Sequence, residues 1–269
     1  MLFDVNAWLG SFPFRSLRDN TPEALVRRLD REGIRWAAVA PIEGIFHRNV
    51  QPANERLVEA IAPFAGRLLP MAVINPTYVK WEDDLARCHE ELGVIGVRLL
   101  PVYHGYDIDG PLARRVLGAC RERGLPVSIP QRIEDPRQRH PFDPGVEVDL
   151  HRVAALLAAE PKATLIVTNA RGNLAGSSLA TRPDLKEAAW CFDLSLALGN
   201  HFRQTTDLVE RCGPGRLVYG THLPFSYAAC ATVKLHLLPV DDEAKADIAY
   251  RNAWRLFRLE ERFAKEEAR

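Results

Sequence analysis

Short apolar runs recur along the chain, separated by stretches in which apolar residues return every three or four positions. The runs fall at residues 2–6, 35–40, 68–75, 95–100, 126–130, 164–169, 190–195 and 217–220. Most are continuously apolar instead of strictly alternating, as expected of strands buried on both faces. Strands of this kind interleaved with helical periodicity predict βα units and a parallel sheet, closed as a single (β/α)8 TIM barrel spanning residues 1–269.

The predicted helices are marked by their ends. Thr21 can cap the first, Pro22 suits its first position, Glu23 complements the helix dipole and Gly33 can adopt the left-handed conformation that stops it. Ala24, Leu25 and Leu29 form its inward stripe. The last helix is predicted over residues 242–257, with Ala244, Ile248, Ala249, Ala253, Leu256 and Phe257 on one face and charge on the other. Residues 260–269 are mostly charged and read as a solvated helix end. The longest irregular stretch, 131–147, follows the fifth strand and is expected to lie over the barrel mouth like a lid.

Composition narrows the function classes. The chain has 269 residues, 47% hydrophobic and 26% charged, which is ordinary for a soluble globular protein. Lys plus Arg and Asp plus Glu both number 35, so no overall field favours nucleic acid or an anionic membrane surface. The five cysteines form no CxxC pair, which points to a reducing cytoplasm and not to a disulfide framework. No signal peptide or membrane span is expected, because no run of about eighteen apolar residues occurs.

Several strings carry chemistry. They are Asp4-Val5-Asn6-Ala7-Trp8, Asn54-Glu55, Phe64-Ala65-Gly66-Arg67 leading to Val73-Ile74-Asn75-Pro76, Gly93 to Pro101 with Asp107 to Pro111, Leu125-Pro126-Val127, Cys191 to Leu196, Gly220-Thr221-His222-Leu223-Pro224-Phe225 and Asn252 to Phe257. In order and spacing they resemble the amidohydrolase superfamily, in particular its amidohydrolase-related branch of TIM-barrel hydrolases and decarboxylases. The resemblance implies a site at the C-terminal ends of the strands. It also implies a divalent metal held by two histidines after strand one, one each after strands five and six, and an aspartate after strand eight. Those positions here are Asn6, Trp8, Pro130 (or Gln131 by a one-residue slip), Asn169 and His222. Indole and proline offer a metal no lone pair, and neutral amides lack the charge that offsets dehydration of the ion.

No metal cofactor is therefore expected, the alternative being one divalent ion such as zinc at a relocated site. His47, His104, His140 and His222 on loops or strand ends, with Glu43, Asp107 and Glu134 nearby in sequence, are its candidate donors, though none forms a tight HxH or HxxxH pair. His89, His151, His201 and His236 read as surface or packing residues.

Strand alternation would place Asp4, Asn6 and Trp8 on one face, and likewise Val167, Asn169 and Arg171. Asn6, Trp8, Asn169, Arg171 and His222 would then converge, with Arg98 and Arg132 at the same mouth. Amides and arginines suit a small organic anion. Asn6, Trp8, Arg98, Arg132, Asn169 and Arg171 are thus the candidate substrate-binding residues, and His222 the candidate catalytic acid or base. The competing readings are that His222 is a satisfied structural residue, that Trp8 is a plug, and that Arg132 and Arg171 pair with loop acids such as Glu134 and Asp135.

The expected function is binding of a small organic acid at the mouth, with hydrolysis or decarboxylation as its catalytic extension. Its rivals are a metal-dependent hydrolase with new ligands and a catalytically silent binding or scaffold homologue. Relatives often dimerise, which puts a homodimer among the expected partners; nucleic acid and membrane are not among them.

Overall fold

The structure, a computed structural model, describes residues 1–195 and 202–260. Among these residues eight strands run in sequence order around one parallel sheet. They are β1 (Phe3–Leu9), β2 (Trp36–Pro41), β3 (Leu68–Val73), β4 (Gly96–Arg98), β5 (Val127–Pro130), β6 (Thr164–Thr168), β7 (Ala189–Asp193) and β8 (Leu217–Val218). Each coincides with one of the apolar runs, within the few residues by which strand ends are ambiguous. Hydrogen bonds from Val5 N to Tyr219 O at 3.0 Å and from Trp8 N to Leu223 O at 2.8 Å join β1 to the segment after β8 and close the barrel.

The strand faces sort cleanly. Val39, Ala72, Val97, Ile129, Val167 and Phe192 pack outward against the helices, whereas Ala38, Met71, Ile166, Cys191 and Val218 point into the barrel. β1 departs from simple alternation, because its pairing with β2 shifts between Asp4 and Ala7. Phe3, Val5 and Trp8 all lie in the interior cluster, while Ala7 and Leu9 lie in the outer one. The expectation that Asp4 shares a face with Asn6 and Trp8 is thereby corrected: an extra residue in the strand reverses the facing beyond it.

Helix α1 (Pro22–Arg31) begins as its sequence implies, with Thr21 Oγ1 accepting from Ala24 N and Leu25 and Leu29 buried. Gly33 beyond it has φ +68, a conformation open to glycine at no steric cost. The last helical stretch runs from Asp242 to Leu256, with a π-helical segment at Asp247–Arg251. Residues 261–269 and His201 lie outside the described residues. The 131–147 stretch contains no helix or strand, as expected. Among the described residues no helix is long and apolar enough to cross a membrane.

Gly220, just past β8, sits where a side chain has no room. A Cβ there would lie 2.5 Å from Asp193 Oδ2, a group that is itself fully buried and cannot retreat. Gly220→Ala should therefore destabilise the fold by about 1–3 kcal/mol, the usual cost of overpacking. Urea unfolding measures this, and an unchanged midpoint would show that Asp193 is not held against the β8 backbone.

Candidate functional site

At the C-terminal ends of β1, β6, β7 and β8 the side chains of Asn6, Asn169, Asp193, Ser195 and His222 meet, all at most 2% exposed. Asn169 is the hub. Its Oδ1 accepts from Asn6 Nδ2 at 2.7 Å and lies 2.8 Å from the Ser195 hydroxyl. Its Nδ2 donates to the Arg132 carbonyl at 2.7 Å and to His222 Nδ1 at 3.2 Å. Its backbone N–H donates to Asp193 Oδ1 at 2.9 Å. Every hydrogen-bonding capacity of this amide side chain is thus used.

Backbone conformation explains how Asn169 reaches the centre. Val167 faces outward, so regular alternation would point Asn169 outward as well; instead Asn169 has φ +55, which swings its side chain over the barrel end. His222 has φ +63. Asn and His are among the few non-glycine residues that tolerate this region, and such geometry concentrates at functional sites. The expected common face of Val167, Asn169 and Arg171 is therefore not formed.

The sequence reading did not single out Asp193, yet it is central. Its Oδ2 accepts from Asn6 Nδ2 at 2.8 Å and its Oδ1 lies 2.9 Å from Ser195 Oγ. Burial raises its carboxyl to about 6, against hydrogen bonds from Ser195, Asn6 and Asn169 that lower it. A single acid ending the otherwise apolar β7 run Ala-Trp-Cys-Phe-Asp was the available signal. Asp4 braces the same end of the barrel. Its Oδ1 accepts from the backbone N–H groups of Asn6 and Thr221, both at 2.9 Å, and its Oδ2 accepts from the Thr221 hydroxyl.

His222, the expected acid or base, is enclosed and hydrogen-bonded. Its Nε2–H donates to the Ile133 carbonyl at 2.9 Å, which leaves Nδ1 as the acceptor for Asn169. Burial first, then the charges of Arg98, Arg15 and Arg132, hold it down to about 3 against the backbone bond to Ile133. The ring is stacked on Phe225 at 4.9 Å between centroids. Both ring nitrogens are thus engaged in hydrogen bonds.

The remaining candidates divide into an interior pair and a rim pair. Trp8 is fully buried, and the Arg98 guanidinium lies over its ring at 4.2 Å. At the rim, Arg132 and Arg171 both approach Glu147 Oε1, each at 3.4 Å, and Arg132 also approaches Asp135 at 3.4 Å. Glu134 pairs with Arg15 at 2.9 Å instead. The irregular 131–147 stretch covers the centre, since the Arg132 and Ile133 carbonyls receive the bonds from Asn169 and His222. Aromatic rings line the same end: Phe12 meets Phe225 at 5.0 Å, and Phe14 stacks on His140 at 4.9 Å.

Most lone pairs of these side chains are already engaged, while the buried Asn6 Oδ1 has no hydrogen-bond partner among the described residues. Among the described residues no group of three or more His, Cys, Asp or Glu gathers to hold one. Asn6 turns its Nδ2 donors, not its oxygen, toward Asn169 and Asp193, and the His222 lone pair is already bonded. The alternative donors are scattered: His47 is exposed, His104 is bonded to the Gly44 carbonyl at 2.9 Å, and His140 stacks on Phe14.

Comparison with known proteins gives a consistent frame. The family model described as amidohydrolase matches residues 22–259, a span that begins after β1 and so omits Asn6 and Trp8. No curated protein matches. Among solved structures the chain is similar to 2,6-dihydroxybenzoate decarboxylase from Rhizobium, with 17% identity and a TM-score of 0.71 over 96% of this chain and 98% of that one. It is similar to dihydroxybenzoic acid decarboxylase from Polaromonas sp. JS666, with bound manganese and the inhibitor 2-nitroresorcinol (14% identity, TM-score 0.70, 96% and 97% covered). A third is 5-carboxyvanillate decarboxylase from Sphingomonas paucimobilis (14% identity, TM-score 0.71, 96% and 98% covered).

The centre makes stability depend on pH with a definite sign. Because His222 titrates at about 3 when folded, against about 6.5 for an ordinary imidazole, the unfolded chain takes up a proton that the native chain refuses. Its contribution is complete above about pH 6.5 and is lost as pH falls toward 3. His104, lowered to about 4 by burial, acts in the same sense, whereas Asp193, raised to about 6, acts in the opposite one. His222→Gln should thus flatten the fall in stability between pH 7 and 5 while lowering stability at pH 7.5. Denaturant unfolding across that range measures it; a slope equal to that of the wild type would mean that His222 is not held neutral.

Proposed function

The chain belongs to the amidohydrolase family, and from that premise we propose that it binds a small aromatic carboxylic acid at the C-terminal mouth of the barrel without using a metal. One observation carries this reading: two guanidiniums, Arg132 and Arg171, share a single carboxylate oxygen, Glu147 Oε1, at 3.4 Å each. Burial first, then Arg171 and Arg137, lowers the pKa of Arg132, and the two cations stand close enough to repel. A carboxylate relieves that repulsion, and Glu147 occupies the place a ligand carboxylate would take. Both Glu147 and Arg171 are more than a third exposed, so exchange with solvent needs no opening of the buried centre.

The aromatic component of the ligand rests on two supports. Phe14, Phe142, Phe225 and His140 stand around the same end of the barrel, and rings favour edge or stacked contacts with another ring. Dihydroxybenzoate and 5-carboxyvanillate, for which the similar structures are named, are themselves aromatic acids. Asn169 and His222 lie beneath this rim and hold its floor through the Arg132 and Ile133 carbonyls, and Asn6 in turn bonds Asn169. Metal independence rests on the donor chemistry at Asn6, Trp8, Asn169 and His222, and hydrolysis or decarboxylation forms no part of the reading.

Calorimetric titration of chelator-treated protein with 2,6-dihydroxybenzoate tests it. Binding should survive chelation. Arg171→Met and Arg132→Met should each weaken it by about 1.5–3 kcal/mol, the value of a hydrogen bond to a charged group. Glu147→Gln should tighten it by removing the internal competitor. Equal affinity for the acid and its neutral amide, or binding restored only by added manganese, would refute the proposal.

A further inference from the structure

At the far end of the barrel from the mouth, where the strands begin, lies a cavity of about 420 Å³. Trp190, the second residue of β7, and Arg216, the residue before β8, line it. Its other walls come from residues between Leu179 and Glu187 and from Arg211 and Cys212, which end the helix Phe202–Cys212. None of these residues takes part in the centre or the rim at the mouth. Four of them are cations, Arg182, Lys186, Arg211 and Arg216, against one acid, Glu187. In a chain whose basic and acidic residues balance at 35 each, this is a local concentration of one sign.

Arg216 is built into this place. Its Nη1 donates to the Ala188 carbonyl at 2.7 Å and to the Trp190 carbonyl at 3.2 Å, its Nη2 donates to the Lys186 carbonyl, and its guanidinium lies over the Trp190 ring at 4.4 Å. Trp190 is itself buried, with its indole N–H donating to the Leu185 carbonyl at 3.1 Å. All of these partners are neutral, so they fix the guanidinium and leave its charge without a counter-charge. Among the described residues no acid forms an ion pair with Arg216, Lys186 or Arg211, Glu187 included. Arg182 does pair with Asp184, at 2.6 and 3.1 Å, an acid outside the lining. The carbonyl end of the helix Phe202–Cys212 offers Arg211 about half a charge at most. A concave space lined by one sign of charge concentrates its field there and attracts ions of the other sign.

We propose that this cavity binds a small, multiply charged oxyanion, with Arg216 as its fixed cation and Arg182, Lys186 and Arg211 as the contacts around it. Guanidinium forks match the paired oxygens of a phosphate or a carboxylate, and the lysine adds a point charge. The volume falls in the range of about 300–1,000 Å³ usual for small-molecule sites. The buried Trp190 ring carries Arg216 and has no face to offer a ligand, so recognition rests on charge. That separates this ligand from the aromatic acid at the mouth. The N-terminal face of such a barrel ordinarily serves stability, yet cations gathered without acids repel one another and add nothing to it. A bound polyanion relieves that repulsion. The two proposals share no residue, so either stands if the other fails.

Equilibrium dialysis of the full chain at pH 7.5 against radiolabelled pyrophosphate, and separately against radiolabelled citrate, tests the proposal. At least one should bind saturably with one site per chain, and the tighter of the two tells a phosphate ligand from a polycarboxylate. Added potassium chloride should weaken the binding. The double variant Lys186→Gln with Arg211→Gln alters two exposed side chains and so spares the fold; it should bind about tenfold more weakly or worse, the usual result of losing contacts to a charged group. Arg211→Lys, which keeps the charge, should lose less than Arg211→Gln. Arg171→Met at the mouth should bind like the wild type, which separates this cavity from the rim. No saturable binding of either anion, a double variant that binds like the wild type, or an equal loss in Arg171→Met would each overturn the proposal.

Discussion

A polar centre closed off from water must satisfy its own hydrogen bonds, and in this barrel that constraint converges on Asn169. One amide links β6 to β1 through Asn6, to the segment after β8 through His222, to the covering stretch through the Arg132 carbonyl and to Ser195 through its hydroxyl. Each of those partners would otherwise be a buried polar group costing about 1–3 kcal/mol. The left-handed backbone at Asn169 is the local cost of putting the amide there, of order 1–3 kcal/mol. Four side-chain bonds outweigh it. The arrangement also fixes the tautomer of His222, since only a ring protonated at Nε2 can donate to Ile133 and accept from Asn169.

The same constraint separates what the site holds rigidly from what it leaves exchangeable. Bonds at the centre run mostly from 2.7 to 2.9 Å and involve groups sealed from solvent. At the rim the contacts of Glu147 with Arg132 and Arg171 are longer, at 3.4 Å, and partly exposed. Ion pairs of this exposed kind are individually weak.

Most of the fold was legible because burial on both faces leaves a strong one-dimensional trace: every apolar run became a strand, and Thr21, Pro22 and Gly33 bounded the first helix as their chemistry requires. The site was legible only in part. Asn6, Asn169 and His222 do meet, but period-two alternation predicted their facing for the wrong reason. A shift within β1 and positive φ at Asn169 and His222 decide it, and both are set by tertiary contacts. Asp193 escaped notice because a lone acid at the end of an apolar strand has no partner visible in sequence. Two of its partners, Asn6 and Asn169, lie 187 and 24 residues away, and Ser195, two residues on, gives no sign in sequence of turning back to it.

Arg98 shows why residue identity and role must be argued from surroundings. In sequence it reads as one more arginine available to an anion, on a par with Arg132 and Arg171. In the barrel it is 0% exposed and lies over Trp8, with the Val5 and Ala7 carbonyls at its donors. The Trp8 indole gives the guanidinium a face on which to rest, an attraction that strengthens as water is excluded. Indole and guanidinium thus fill the interior between them.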